Sequence, residues 1–258
     1  MRSQERTILE FVNLLLHGLH EQSDEGRQPP NAEAGYNWTT FDITGSLIFG
    51  EAFGCIQGSQ YNPWIEFIMG TIKWGVSISA LSYLGFDWAV QILFRLTGGN
   101  KSLVKTREYN DHMMEKRLAM DEGREDDLFE GLAKRRQEWN LSFEKLTANS
   151  FILILAGSKT TATALTGTTY LLLKHPEVLG RLQREVRSAF SSVGGIKIAS
   201  VNRLSYMLAV LNESLRMYPL ITASLVRIVP PGGAEVGGHF IPGGVSHHVH
   251  LRKILQKT

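Results

Sequence analysis

Residues 151–173 read FILILAGSKTTATALTGTTYLLL. The run is too long for a single strand, and Ser142 stands where it can cap a helix that begins at about Phe143 and continues to Leu173. About 20 apolar residues would also cross a bilayer. Lys159 and six threonines interrupt this run, however, and a lysine near the middle of a span costs roughly 2.5–3.5 kcal/mol on insertion scales. The segment therefore reads as a buried helix of a folded domain, and no membrane span is expected in this chain. What remains to be explained is AGSKTT at its centre, a lysine beside a glycine and a run of hydroxyls.

With 258 residues, 43% of them hydrophobic and 20% charged, the chain can bury a core and form one large domain or two small ones. Twenty-seven basic residues against 25 acidic ones leave a formal charge of +2, which gives no electrostatic basis for a nucleic-acid or anionic-membrane partner. Cys55 is the only cysteine. An intramolecular disulfide and a multi-cysteine metal site are thereby excluded, and Cys55 itself reads as a small buried residue. The opening MRSQERTILE has no continuous apolar block, so neither a signal peptide nor an anchor is expected to begin there.

Apolar residues at Ile8, Phe11, Val12, Leu15, Leu16 and Leu19 recur three and four apart and predict a first helix. EQSDEGRQPPNAEAGYN reads as a surface loop, after which Thr39 or Thr40 caps a second helix that Gly50 and Gly54 stop. Residues 61–97 are rich in aromatics and Met and broken by glycines, which suggests two helices about a turn. A charged helix with a solvated face fits residues 101–120, and DEGREDD reads as an exposed loop. Further helices are predicted in KHPEVLGRLQREVRSAF, with Pro176 in its first turn, and in RLSYMLAVLNESLRMYP, ended before Pro219. Short β-like pieces, SLVRIV, AEV and GHFI, then alternate with PPGG, GG and PGG turns. The expected class is mainly α with a small C-terminal β-region.

Individually, the candidate motifs are ambiguous. Glu213 and Arg216 lie three apart on one helical face and can form an ordinary surface ion pair. Thr160 and Thr161 can bond back to carbonyls a turn earlier. With Gly157 beside them, they fit either a flexible core helix or a local widening where a flat ligand approaches the backbone. His247, His248 and His250 cluster without a carboxylate or cysteine, so no native metal site is expected there.

Taken in order, AGSKTT, KHPEVLGRLQREV, NESLRMYP and VRIVPPGGAEVGGHFIPGG resemble the cytochrome P-450 superfamily of haem-thiolate monooxygenases. WTTFDITGSLIFGEAFG is similar to a segment of fungal secondary-metabolism members. The resemblance covers residues 1–245, as a helical core over 1–219 and a β-region over 220–245, and leaves 246–258 as a divergent tail. It implies a haem lying against the helix near residues 156–161, contacted by Ala156, Gly157 and Thr161 and, from the β-region, by Arg227. Dioxygen and a small apolar organic substrate would lie on that side, with electrons from an NADPH-linked reductase. Thr160 matches the alcohol that helps deliver protons to dioxygen. Glu213 and Arg216 match a pair that braces the other side of the haem, which would turn an ordinary ion pair into part of a buried network.

Two departures accompany the resemblance. Lys159 stands where the family has Asp or Glu, so a cation replaces the acid of an acid–alcohol pair, and impaired oxygen activation is expected. The family's axial cysteine loop has no counterpart here, so no metal ligand is assigned. The chain looks like a truncated middle half of the usual domain and is expected to be inactive alone. The alternative is a non-catalytic helical binding or regulatory protein on the same scaffold. Full-length relatives are commonly anchored in the endoplasmic reticulum membrane; this chain lacks that anchor, and its location is open.

Overall fold

Two prolines followed by Asn31 set the start of the second helix, because Asn31 accepts a hydrogen bond from the Ala34 amide at 3.1 Å and caps it. In the computed structural model, which describes residues 4–83, 85–86, 88, 92, 99–120, 129, 131, 135–136, 138–221 and 225–249, helix α2 spans Ala32–Phe49. It thus begins inside the stretch read as loop, and Thr39 and Thr40 lie within it rather than at its cap. Their hydroxyls, with that of Thr44, bond to carbonyls of their own helix at 2.8–2.9 Å, which lets polar side chains be buried there. Gly50, at φ 72°, ends the helix in the left-handed conformation that glycine adopts without strain.

The chain divides into two compact units, Met1–Ala162 and Thr163–Thr258. In the first, α1 (Glu5–Gln22) packs on α2 with Leu15 against Gly35, while Leu16 of the predicted stripe is exposed. The short α3 (Cys55–Gly58) is held by Asp42, whose carboxylate accepts from the Cys55 and Ile56 amides at 3.1 and 2.9 Å. Helix α4 (Pro63–Tyr83) runs unbroken through Gly70 and Gly75; Gly85, at φ 82°, then sits in a turn, and Trp88 and Ile92 are again helical, in keeping with two helices about a turn. Helix α5 (Gly99–Leu118) is not merely a solvated face, because Thr106, Asn110, Met113, Met114 and Arg117 are buried. Residues 121–127, read as a loop, lie outside the described residues.

Phe41, Phe49, Ile65, Met114, Leu146 and Ile154 form the centre of this unit's core. Trp64 lies between Phe53 and Tyr109, at centroid distances of 5.4 and 4.9 Å, and donates its indole N–H to the Thr106 carbonyl. The long helix α6 (Phe143–Lys174) begins at Ser142, whose hydroxyl accepts from the Lys145 amide, and the division between the units falls within it. No helix among the described residues is long and apolar enough to cross a membrane.

In the second unit, Pro176 opens α7 (Pro176–Ala189), where its missing N–H costs nothing. A 3₁₀ turn (Val193–Gly195) and a short α8 (Ile198–Val201) lead to α9 (Ser205–Met217). The start of α9 is capped from α7, since the Glu185 carboxylate accepts from the Tyr206 and Met207 amides at 2.9 and 2.8 Å. Strand β1 (Leu225–Ile228) pairs antiparallel with β4 (Ser246–Val249). Strands β2 (Ala234–Val236) and β3 (His239–Ile241) form a hairpin. Its turn, Gly237–Gly238, takes positive φ at both positions, as a two-residue primed turn requires. The pairing of β4 carries the β-region past residue 245, the boundary expected from the sequence.

Candidate functional site

AGSKTT occupies one and a half turns of α6, and its residues divide between two sides of that helix. Gly157, Ser158 and Lys159 turn toward α2. A Cβ placed on Gly157 would stand 3.0 Å from the Thr44 methyl carbon, so this glycine admits a neighbouring helix. That is a different use from the ligand approach expected of it. Ser158, fully buried, shares a 2.5 Å hydrogen bond with the Thr44 hydroxyl. Lys159 donates from Nζ to Asn37 Oδ1 at 2.9 Å. Asn37 is itself buried and donates from Nδ2 to the Glu33 carbonyl at 2.8 Å, which fixes the sense of its amide.

Ala156 and Thr160 lie on another side, one turn apart. Ala156 is exposed and Thr160 half-buried, with Ile152 and Leu153, 59% and 43% exposed, a turn before them. Thr160 donates its hydroxyl proton to the Ala156 carbonyl at 2.5 Å, and the exposed Thr161 does the same to Gly157 at 2.8 Å. These bonds do not widen the helix, which stays α-helical from Phe143 to Lys174. The exposed side chains on this side are thus Ile152, Leu153 and the small Ala156, with the Thr160 hydroxyl beside them.

In the second unit, Glu213 and Arg216 do find each other. Arg216 donates from Nε and Nη2 to the two carboxylate oxygens at 2.7 and 2.6 Å, a bidentate pair. That hydrogen bonding holds the Glu213 carboxyl below its ordinary range and the Arg216 guanidinium above its own. The pair is not the buried network expected, because the two side chains are 53% and 33% exposed. Glu213 also lines an apolar pocket of about 370 Å³ with Leu171, Leu172, Val178, Tyr206 and Met217. Arg227 sits mid-strand in β1, exposed and in register with His247.

Cys55 is 1% exposed, and burial, together with the charge of Asp42, pushes its thiol up to about 12. A thiol so placed is neither a ready thiolate nor an accessible ligand. Among the described residues, no cluster of His, Cys, Asp and Glu is arranged to hold a metal. Sequence reasoning missed Asn37, Thr44 and Asp42. The signal that could have found the first two is their spacing with Thr40, three and four apart along an otherwise apolar helix. Nothing local marks Asp42 as the cap of a segment thirteen residues away.

The family model for Cytochrome P450 matches residues 1–256. Averantin hydroxylase of Dothistroma septosporum is 36% identical, over 95% of this chain and 46% of its own length. Cytochrome P450 monooxygenase tpeC of Talaromyces stipitatus is 39% identical, over 94% and 47%. Trichothecene C-15 hydroxylase of Fusarium sporotrichioides is 36% identical, over 94% and 50%. The chain thus spans about half the length of the curated relatives it matches. The crystal structure of the cytochrome P450DA heme domain superposes with a TM-score of 0.80 at 19% identity, covering 99% of this chain and 54% of that one. Its fold is therefore that of part of such a domain, and the continuous match to the family model makes this chain a member of the cytochrome P450 family.

Proposed function

We propose that residues 1–245 are part of a haem-dependent monooxygenase that places one atom of O2 in a small organic substrate of secondary metabolism. The second oxygen atom leaves as water, with two electrons from an NADPH-linked reductase and two protons drawn from solvent. The names of the fungal hydroxylases and monooxygenases that this chain resembles support the substrate class. The single observation that carries the reading is the Ala156–Thr160 side of α6, a small residue and a hydroxyl one turn apart on an exposed apolar surface.

That surface fits one side of a flat ring. Ala156 leaves room for close approach, Ile152 and Leu153 present apolar contact to a substrate, and the exposed Thr161 follows on the next turn, while Gly157 serves the packing against α2. Haem, when bound, supplies the oxygen-cleaving chemistry. Thr160 directs its hydroxyl proton at the Ala156 carbonyl; turned outward, the same hydroxyl would act as a relay, accepting a proton from water as it donates its own. Within the second unit, Glu213 and Arg216 form a bidentate pair on α9, and the family resemblance assigns haem binding to Arg227. Cys55 would not serve as a thiolate ligand to the haem iron, because its thiol is buried and held protonated. These 258 residues by themselves are accordingly assigned haem contact without turnover.

Haem reconstitution followed by a reduced carbon-monoxide difference spectrum tests this. Haem uptake without a thiolate-type Soret band is the expected result. A thiolate-type band would overturn the exclusion of Cys55. No uptake would overturn the placing of haem on α6 and favour the alternative, a binding scaffold without oxygen chemistry.

A further inference from the structure

The two hydrogen bonds of Asn37 point in opposite chemical senses. Its Nδ2 is committed to the Glu33 carbonyl at 2.8 Å, one turn back in α2, so its Oδ1 must face α6. There it meets Lys159 Nζ at 2.9 Å. Asn37 is 2% exposed, so little water reaches its amide to make good a lost partner. An acceptor presented from a buried, orientation-locked amide calls for a donor on the other helix. A carboxylate at position 159 would put oxygen against oxygen. Flipping the amide would meet the carboxylate, but at the cost of facing Oδ1 toward the Glu33 carbonyl.

We propose that Asn37 is a positioning residue that selects a hydrogen-bond donor at position 159 and makes Lys159 a strut between α2 and α6. The same seam holds the Thr44–Ser158 hydroxyl pair and the Gly157–Thr44 approach, so Lys159 is flanked by a second hydrogen-bonded contact between α2 and α6. The cation at this position is then a consequence of its partner on α2. Insofar as the Proposed function is right, the ammonium is directed away from the Ala156–Thr160 surface, and the hydroxyl of Thr160 works there without it. The family's acid and this lysine are, on this view, alternative answers to different partners.

The test uses the full chain without haem, so that it is decided independently of the oxygenase reading. Urea unfolding is followed by tryptophan fluorescence, all five tryptophans lying in Met1–Ala162. Lys159→Arg should retain the midpoint, Lys159→Met should lower it, and Lys159→Glu should lower it further. Placed in an Asn37→Ala background, Lys159→Glu and Lys159→Met should become nearly equal. A Lys159→Glu chain as stable as the unaltered one, or an undiminished gap in the Asn37→Ala background, would overturn the proposal. Amine acylation read by peptide mass spectrometry supplies a second measure. Lys159 should react several-fold more slowly than exposed Lys145, Lys174 and Lys197, and Asn37→Ala should remove most of that protection. Equal reaction of all four lysines in the unaltered chain would show that Lys159 is not held, and would sink the strut whatever the haem experiment gives.

Discussion

The two units of this chain are stabilised in different ways. In Met1–Ala162, rings and aliphatic side chains such as Phe41, Phe49, Ile65 and Met114 are almost wholly removed from water. In Thr163–Thr258, α7 has no buried residue, and α9 buries only Val210 and Ser214 while exposing Leu208, Leu211, Leu215 and Met217. The second unit relies instead on point contacts with defined directions. Glu185 grips two amides of α9, Arg181 lies 4.1 Å over the Tyr206 ring, and Tyr218 stands against Gly167. Burial spreads stability over many atoms, whereas directional contacts concentrate it in a few.

This contrast can be broken most directly by removing the centre of the first core. Phe41→Ala should cost about 3–5 kcal/mol through lost burial and the cavity left behind, read as a lower urea midpoint in tryptophan fluorescence. Asp42→Ala comes next. It strips the acceptor from one buried and one part-buried amide and should cost about 1–3 kcal/mol in the same measurement. If either substitution left the midpoint in place, the first unit would not depend on its core as described.

In the second unit, Glu185→Ala should cost about 0.5–2 kcal/mol, the range for a lost helix cap. It should also speed hydrogen exchange at the Tyr206 and Met207 amides while leaving α2 amides unchanged. A smaller effect is expected from pH. Burial raises the Asp42 carboxyl above its ordinary 3.8, against the lowering by the amides it accepts from. The folded chain therefore keeps a proton that the unfolded chain gives up. The stability this group contributes is complete below 3.8 and is lost as pH rises through the raised value, a slope that Asp42→Asn should flatten. Least of all, Glu213→Gln should leave the protection of the α9 amides from hydrogen exchange unchanged, because the pair it breaks is exposed. A clear loss there would mean that the second unit leans on this pair and would sharpen its contrast with the first.

The parts of this architecture that were legible in the sequence are those governed by local chemistry. Ser142, Pro176 and the Gly237–Gly238 pair each announce a start or a turn within a few residues of themselves. The family motifs on α6 and α9 were equally plain, as was the pairing of Glu213 with Arg216. The illegible parts depend on partners far away in the chain. Asn31 was hidden behind two prolines that read as loop, and the buried threonines of α2 look like surface residues until their hydroxyls are seen on their own helix. Lys159 is the sharpest instance. Its neighbours in sequence suggested an oxygen site, but its partner lies 122 residues earlier.

The Glu185 grip on α9 also bears on how the chain could be cut or rebuilt. It joins α7 to α9 through side chain and amide, bypassing the covalent connector that contains Val193, which is 80% exposed. These bonds, with Arg181 over the Tyr206 ring, join the two helices independently of the backbone there. A protease nick beside Val193, or a foreign peptide grafted at that point, should leave both helices in place, which makes this connector the natural position for new chain ends or an inserted tag.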